Sequence, residues 1–341
     1  MATKSPAPSA VGSRKKPTIY DVADAAGVSK SLVSLVLQND PSVSEPRRAA
    51  VLNAIEELNY RPSRLAQNLA AGRTRTIGVI VAEYDNLSYI NALAGMREVF
   101  DAANYQVIIN DLHRGGGLDD PVDAFNAMHV EALVFIAEPA GLKTDAMTVP
   151  AVMIGERESH IEGADTIFSD DDAGSKLALE HLWSLGHREI VHLTGTGGIA
   201  GNRDRAYQTF MKSHGATPHT FGQGQPTTAE GGYRGAKELL QAKIPFTAVY
   251  AANDSMAAGA SSAFAEAHIY IPADISMVGY DNSPLSSEYM LKLTTVDDRG
   301  FDVGRLAAER ILDVLSSESA VKPVNRLLAP KLVVRQSSRA I

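Results

Sequence analysis

Ser29, Lys30 and Ser31 open a short amphipathic segment, KSLVSLVL, whose outward face also holds Ser34 and, less expectedly, Leu32 and Leu35. Lysine and hydroxyl side chains in the first turn of a helix are placed to reach base edges and phosphates when that helix enters a DNA major groove. Far along the chain, Asp170 ends the run TIFSD, Asn253 and Asp254 follow TAVYAA, Asp281 ends ISMVGYD, and residues 83–86 follow TIGVIV. Polar groups just beyond the carboxyl ends of parallel strands are where open α/β sheets bind small molecules. Each such residue taken alone also reads as a helix cap or a solvated charge, and Asn253 additionally starts a helical segment.

Other patterns carry less. GTGGIA at 195–200 formally fits a dinucleotide fingerprint, but no strand about 20 residues on ends in the acid that should hold a ribose. The aspartates at 170–172 have no His or further acid at ligand spacing, so a strand end and a helix N-terminus explain them better than a metal does. Asn86-Leu87-Ser88 is a glycosylation sequon without a secretory signal. His187 and His192 flank a buried strand with no nucleophile in a recognisable motif, which favours structural roles over catalysis. With no cysteine in the chain, disulfides, thiol nucleophiles and cysteine-based metal sites are excluded.

Positioning the first set of residues falls to short helices. Thr18 can cap a helix with Asp21 three residues on, and Ile19, Val22, Ala23 and Ala26 then recur at i, i+3, i+4 and i+7. Gly27 breaks this helix, Ser29 caps the next, and Val33, Val36 and Leu37 form an inward stripe. Ser44 is predicted to cap a third helix with Val51, Ala54, Ile55 and Leu58 on its buried side. A bundle of this kind can present a recognition helix, although three helices alone do not establish DNA binding. After Arg61-Pro62 comes an amphipathic stretch, Ser63 to Ala70, ended by Gly72. From Thr76 the pattern changes to buried apolar runs at 76–81, 105–110, 132–136, 151–155, 188–194, 247–252 and 275–280. Helical lengths separate most of them, which predicts a doubly wound α/β body long enough for two lobes.

The net charge of −8 would by itself argue against nucleic acid, but its distribution does not. Residues 1–75 hold eleven Lys or Arg and six Asp or Glu, a net +5, whereas the remainder holds 21 and 34, a net −13. A basic head on an acidic body suits a chain that touches phosphates with one end only. Residues 1–17, rich in Ser, Pro, Ala and Lys and without hydrophobic period, read as a disordered basic arm. No stretch approaches the roughly 18 apolar residues of a membrane span, and the N-terminus lacks the apolar run of a signal peptide, so a cytoplasmic location is expected.

The stretch TIYDVADAAGVSKSLVSLVL, followed by ELNYRPSRLAQNLAAGRTRTIGVIV, closely resembles the LacI/GalR family of bacterial transcriptional regulators. The resemblance continues in EHLWSLGH (180–187), AANDSMAAGA (251–260) and DISMVGYD (274–281), and so covers essentially everything after residue 17. It implies an N-terminal all-α helix-turn-helix headpiece plus hinge helix, joined to a two-lobed α/β core resembling type I periplasmic binding proteins. The expected borders are 1–17 for the arm, 18–62 for the headpiece and 63–74 for the hinge. The N-terminal lobe is expected at 75–186 with 298–325, and the C-terminal lobe at 187–297 with 326–341.

By the same resemblance, DNA contacts are expected from Thr18, Tyr20, Ser29, Lys30, Ser31, Leu32, Ser34, Leu35 and Asn39. In the hinge they are expected from Ser63, Arg64, Ala66, Gln67 and Leu69, with Leu69 as the wedge that the family inserts into the minor groove. An eight-residue helix is far below the roughly 12 to 15 residues needed for marginal stability in water, so the hinge is expected to order on DNA. Effector contacts are implied for Tyr84, Asn86, Tyr89, Asp170, Arg203, Thr227, Asn253, Asp254, Asp281 and Asp298, with Arg203 matching the family's effector-clamping arginine. Arg203, Asn253 and Asp281 would supply a fork donor, an amide and a carboxylate, the set that hydroxyl-rich sugars need.

Some positions depart from the family. Leu32 and Leu35 replace the usual Thr and Arg, which turns the expectation there toward apolar contact with a thymine methyl. Thr227 replaces an aromatic platform, Asp298 stands where Gln is common, and Gly300 removes a bulky side chain. Lost stacking and an added carboxylate point away from an ordinary monosaccharide and toward a polyhydroxyl or cationic ligand, or toward weak binding.

The chain thus reads as a sequence-specific DNA-binding repressor that takes a pseudo-palindromic operator as a homodimer and answers to a sugar-like effector in the interlobe cleft. Neither enzyme activity nor a cofactor is expected. It ends in VVRQSSRAI without a leucine heptad, so a tetramerising C-terminal helix is not expected. A solute-binding protein for uptake would share the body but not the headpiece, and an enzyme has the least support.

Overall fold

The computed structural model describes residues 17–37, 40–60, 73–82, 87–112, 119–139, 147–157, 159–319 and 321–341. The chain divides at Thr74/Arg75 into two compact units. In the first, α1 (Ile19–Ala25), α2 (Lys30–Leu37) and α3 (Glu45–Glu57) bury Val22, Ala23, Val33, Val36, Val43, Val51 and Ala54 in one core. Thr18 closes a capping box on α1: its Oγ1 accepts from the Asp21 N–H at 3.4 Å, and Asp21 Oδ2 accepts from the Thr18 N–H at 2.6 Å. Ser29 Oγ accepts the Leu32 N–H at 3.3 Å and so starts α2. Ser44 precedes α3, but its hydroxyl makes no capping bond, and Pro46 at the helix start has no N–H to satisfy. Leu32 and Leu35, expected to face outward, are half-buried against the headpiece core. An eight-residue helix wedged between two others has an apolar stripe wider than its fully buried Val33 and Val36.

The second unit contains two doubly wound lobes. In the first lobe, β1 (Thr76–Val81), β2 (Gln106–Asp111), β3 (Ala132–Ile136), β4 (Ala151–Ile154), β5 (Asp165–Ser169) and the late strand β11 (Asn325–Leu328) form a parallel sheet in the order β11-β5-β4-β3-β1-β2. One face, with Ile77, Val79 and Val81, is covered by α4 (Ile90–Ala102) and α10 (Gly300–Ser316); the other, with Ile80, Leu133 and Phe135, by α5 (Asp119–Ala127). Alternation along β1 explains why both faces bury apolar side chains in one uninterrupted run. The α4 and α10 backbones nearly touch. A Cβ on Gly95 would collide with the Phe301 carbonyl, and one on Gly304 with the Ala92 carbonyl, so side-chain-free positions set this close crossing.

In the second lobe, β6 (Ile190–Leu193), β7 (Thr220–Phe221), β8 (Ala248–Ala251), β9 (Ser276–Tyr280), β10 (Thr294–Asp297) and β12 (Lys331–Val333) are ordered β12-β10-β9-β8-β6-β7. Only β12 runs antiparallel to its neighbour. The helices α6 (Asp171–Ser184) and α7 (Gly198–Ser213) cover one face, and α8 (Ala229–Ala242) and α9 (Asp254–Glu266) the other.

The lobe border expected at 186 is displaced. Ala178, Leu179 and Leu182 of α6 are buried with Ile190, Tyr207 and Val278, so this helix packs in the second lobe. Likewise β11 lies wholly in the first sheet, beyond the expected change at 325. The chain therefore passes between lobes at 169–171, 297–300 and 328–331. No helix among the described residues is long and apolar enough to cross a membrane.

Candidate functional site

The carboxyl ends of the two sheets face a common cleft of about 1170 Å³, its open mouth included. Tyr89, Glu138, Arg157 and Phe168 line it from the first lobe, Thr196, Arg203, Thr227, Asn253 and Asp281 from the second, and Asp171, Asp298 and Gly300 from the crossing segments. The lobes touch across it: Asn91 Nδ2 donates to the Asn282 carbonyl at 3.1 Å, and Asn202 Nδ2 to Glu156 Oε2 at 3.4 Å.

Arg203 organises the floor. It rises from the first turns of α7, reached through Gly197, whose φ of 101° would strain any other residue. Its Nε donates to Asp171 Oδ1 at 2.9 Å, and its Nη1 to Asp281 Oδ1 at 3.1 Å and to the Ala252 carbonyl at 2.5 Å. The guanidinium lies 3.5 Å from the centre of the Tyr280 ring. Burial works against the charge, but Asp171 and Asp281 hold the guanidinium well above its ordinary pKa. Asp281 itself is 3% exposed, and burial pushes its carboxyl up to about 7 against the pull of Arg203. Its backbone has φ 97°, a conformation that costs a non-glycine residue about 1–3 kcal/mol and survives only where surroundings impose it.

Asp298 Oδ1 accepts the Gly300 N–H at 2.8 Å, and burial followed by the charge of Asp281 lifts its pKa well above the usual range. Arg157 donates Nε and Nη2 to the Ile154 carbonyl at 3.2 and 2.8 Å, and burial lowers it to about 10 while Glu138 and Asp171 oppose that fall. The floor is thus an ionic lattice in which a polar ligand finds a fork donor, several carboxylates and the hydroxyls of Thr196, Thr227 and Ser88.

Of the expected effector residues, Tyr89, Arg203, Thr227, Asn253, Asp281 and Asp298 line the cleft. Asn253 is largely spent on structure, since its Oδ1 caps α9 through the Met256 N–H at 2.7 Å and its Nδ2 donates to the Thr227 carbonyl at 2.9 Å. Asp254 does not line the cleft. It is fully buried, and its carboxylate accepts from Thr295 Oγ1 at 2.6 Å and from the Ser283 N–H and Oγ at 2.7 and 3.0 Å, locking the segment after β9. Asp170 caps α6 through the Ala173 N–H at 2.9 Å, and its neighbour Asp171 lines the cleft instead. Tyr84 and Asn86 lie outside the described residues.

Asp171, Arg157 and Glu138 escaped the sequence reading. All three follow first-lobe strands, so the strand-end rule would have found them had it been applied after β3 and β4 and one residue further after β5. His187 bridges Thr247 Oγ1 and Ser276 Oγ, each at 2.9 Å, and His192 Nδ1 meets the Tyr250 carbonyl at 2.9 Å, so both imidazoles serve the second sheet.

On the headpiece, Tyr20, Ser29, Lys30 and Ser31 are exposed together. Lys30 Nζ lies 3.5 Å from Tyr20 Oη and 5.1 Å from its ring centre, so the two side chains form one cationic-aromatic feature at the start of α2. Thr18 Oγ1 serves the cap, Ser34 is half-buried, and Asn39, Ser63, Arg64, Ala66, Gln67 and Leu69 lie outside the described residues.

Comparison with known proteins agrees with both halves. Residues 18–63 match the family of bacterial regulatory proteins of the lacI type, and residues 179–338 match the periplasmic binding protein-like domain. The lactose operon repressor of Escherichia coli (strain K12) is 33% identical over 336 residues, covering 96% of this chain and 92% of that one. A solved lac repressor dimer bound to operator and the anti-inducer ONPF superposes with a TM-score of 0.81 at 30% identity, over 96% of this chain and all of that one. A complex of the transcriptional regulator CelR with cellobiose gives a TM-score of 0.67 at 26% identity, over 94% and 99%. Likeness at this level along nearly the whole length, with a helical headpiece ahead of a cleft-bearing core, means that the chain belongs to the LacI family of DNA-binding bacterial transcription regulators.

Proposed function

We propose that this regulator represses transcription as a homodimer on a pseudo-palindromic operator and that a sugar in the interlobe cleft shifts the population competent for DNA. The observation that carries the effector half is Arg203 pinned between Asp171 and Asp281 on the floor of a large cleft. Polar groups this costly to bury are retained where a polar ligand completes their hydrogen bonding. The CelR relative, solved in complex with cellobiose, supports the sugar class. On the DNA side, Tyr20, Ser29, Lys30 and Ser31 would meet the duplex, and two heads are needed because one buries too little DNA surface for a specific complex. Ser63, Arg64, Ala66, Gln67 and Leu69 would form the hinge with Leu69 as the wedge, and the borders 18–62 and 63–74 for headpiece and hinge are part of this reading.

The test is a selection on randomised palindromic duplexes, followed by competition against random DNA at moderate salt with and without sugars. A specific operator whose occupancy changes with at least one sugar is expected; no preference for any palindrome overturns the proposal. Leu69→Ala should weaken operator binding far more than nonspecific binding. Removing residues 1–75 should abolish DNA binding and leave the sugar-induced thermal shift.

A further inference from the structure

We propose that the effector is a sugar bearing a protonated amine, with the ammonium seated between Asp298 and Asp281; this narrows the cleft reading above and depends on it. Among the described residues the lining sets two cations, Arg157 and Arg203, against four acids, Glu138, Asp171, Asp281 and Asp298. Arg203 is already committed to Asp171, Asp281 and the Ala252 carbonyl. Arg157 turns two of its N–H groups onto the Ile154 carbonyl, and its strongest favourable charge is Glu138. With both arginines so engaged, the described residues leave Asp281 and Asp298 no cation beyond Arg203, and burial pushes both carboxyls up toward the neutral form, which a further cation would reverse.

Their hydrogen bonding is incomplete as well. Asp298 Oδ1 takes only the N–H of Gly300, two residues on, and Asp281 Oδ1 takes only Arg203. Among the described residues neither Oδ2 has a donor, although Asp281 is 3% exposed and lines the cleft. A Cβ on Gly300 would lie 3.0 Å from Asp298 Oδ1 and 3.2 Å from Asn91 Cβ, so the glycine lets Asp298 and the start of α4 approach closely. A sugar hydroxyl entering here supplies a hydrogen bond but brings no charge to favour the ionised form of either acid. A primary ammonium supplies three donors and the missing positive charge in one small group, and charge-assisted bonds of this kind are about twice as strong as neutral ones. Thr196 also lines the cleft and offers its hydroxyl to the ring.

The test measures binding of matched pairs to the full-length protein by calorimetry: glucosamine with glucose, galactosamine with galactose, mannosamine with mannose. At least one amino sugar is expected to bind about tenfold more tightly than its hydroxyl partner. N-acetylation of that sugar, which removes the charge and keeps the ring, should erase the preference in the wild-type chain. In Asp298→Asn the gap should shrink to about twofold while the neutral sugar still binds. Neutral sugars binding as well as their amines, or a gap that survives both N-acetylation and Asp298→Asn, overturns the amine assignment alone. No binding by any member of the panel overturns the sugar reading with it.

Discussion

Arg203 binds two carboxylates with one guanidinium in a place that water barely reaches, so its removal is costlier than the loss of a surface pair. Arg203→Met would abandon Asp171 and Asp281 as buried charges, and a loss of about 3–5 kcal/mol at pH 7 is expected from urea unfolding. Because burial raises the Asp281 carboxyl to about 7, it takes up a proton as the pH falls, and the deficit should be smaller at pH 5.5 than at pH 7. His192 titrates in the opposite sense. Burial lowers it to about 4, its ring stacks on Tyr250 at 4.7 Å between centres, and its Nε2 has no hydrogen-bond partner among the described residues. The unfolded chain protonates at a pH near 6.5 and the folded one does not, so stability present above about 6.5 is lost as the pH drops toward 4. At pH 5 this amounts to about 2 kcal/mol, and His192→Phe should flatten that part of the pH profile of the urea midpoint. Sequence reasoning is weakest at this scale. Asp170, Asp171, Asp254 and Asp281 all follow strands, yet one caps a helix, one locks a loop and two line the cleft. Which role each takes depends on side-chain direction at a strand end, which composition and spacing do not encode.

At the scale of elements the sequence is more legible. The runs at 76–81, 132–136 and 275–280 coincide with β1, β3 and β9 within a residue, because strands buried on both faces leave uninterrupted apolar text. β7 has two residues, and β11 is the largely exposed NRLL at a sheet edge, so neither has an apolar run to read. The cap at Thr18 was legible because a capping box is local chemistry, whereas Leu32 and Leu35 were misread as outward because their burial depends on how α1 and α3 approach. The start of α2 carries the prediction for DNA. Lys30→Ala should weaken operator and nonspecific binding alike and reduce the slope of log affinity against log salt by about 0.9 per headpiece. A changed base preference with an unaltered salt slope would instead make Lys30 a base reader.

At the scale of the whole core, polar side chains join the two lobes beside the cleft. Asn91 holds the carbonyls of Asp281 and Asn282, at 3.5 and 3.1 Å, and Arg335 Nη2 holds Asn282 Oδ1 at 2.7 Å, so the strained turn after β9 is gripped from both lobes. Loss of one such hydrogen bond is worth about 0.5–1.5 kcal/mol, so Asn91→Ala should weaken sugar binding about two- to tenfold and increase the radius of gyration of the unliganded core in X-ray scattering. Asp171 and Asp298 both belong to the strands of chain that run from one lobe to the other. A molecule gripping them pulls on the axle, while one touching Tyr89 or Thr227 pulls only on the jaws. Substitutions at the axle must therefore alter resting posture and ligand taste in a single stroke, and evolution can retune the two separately only along the jaws.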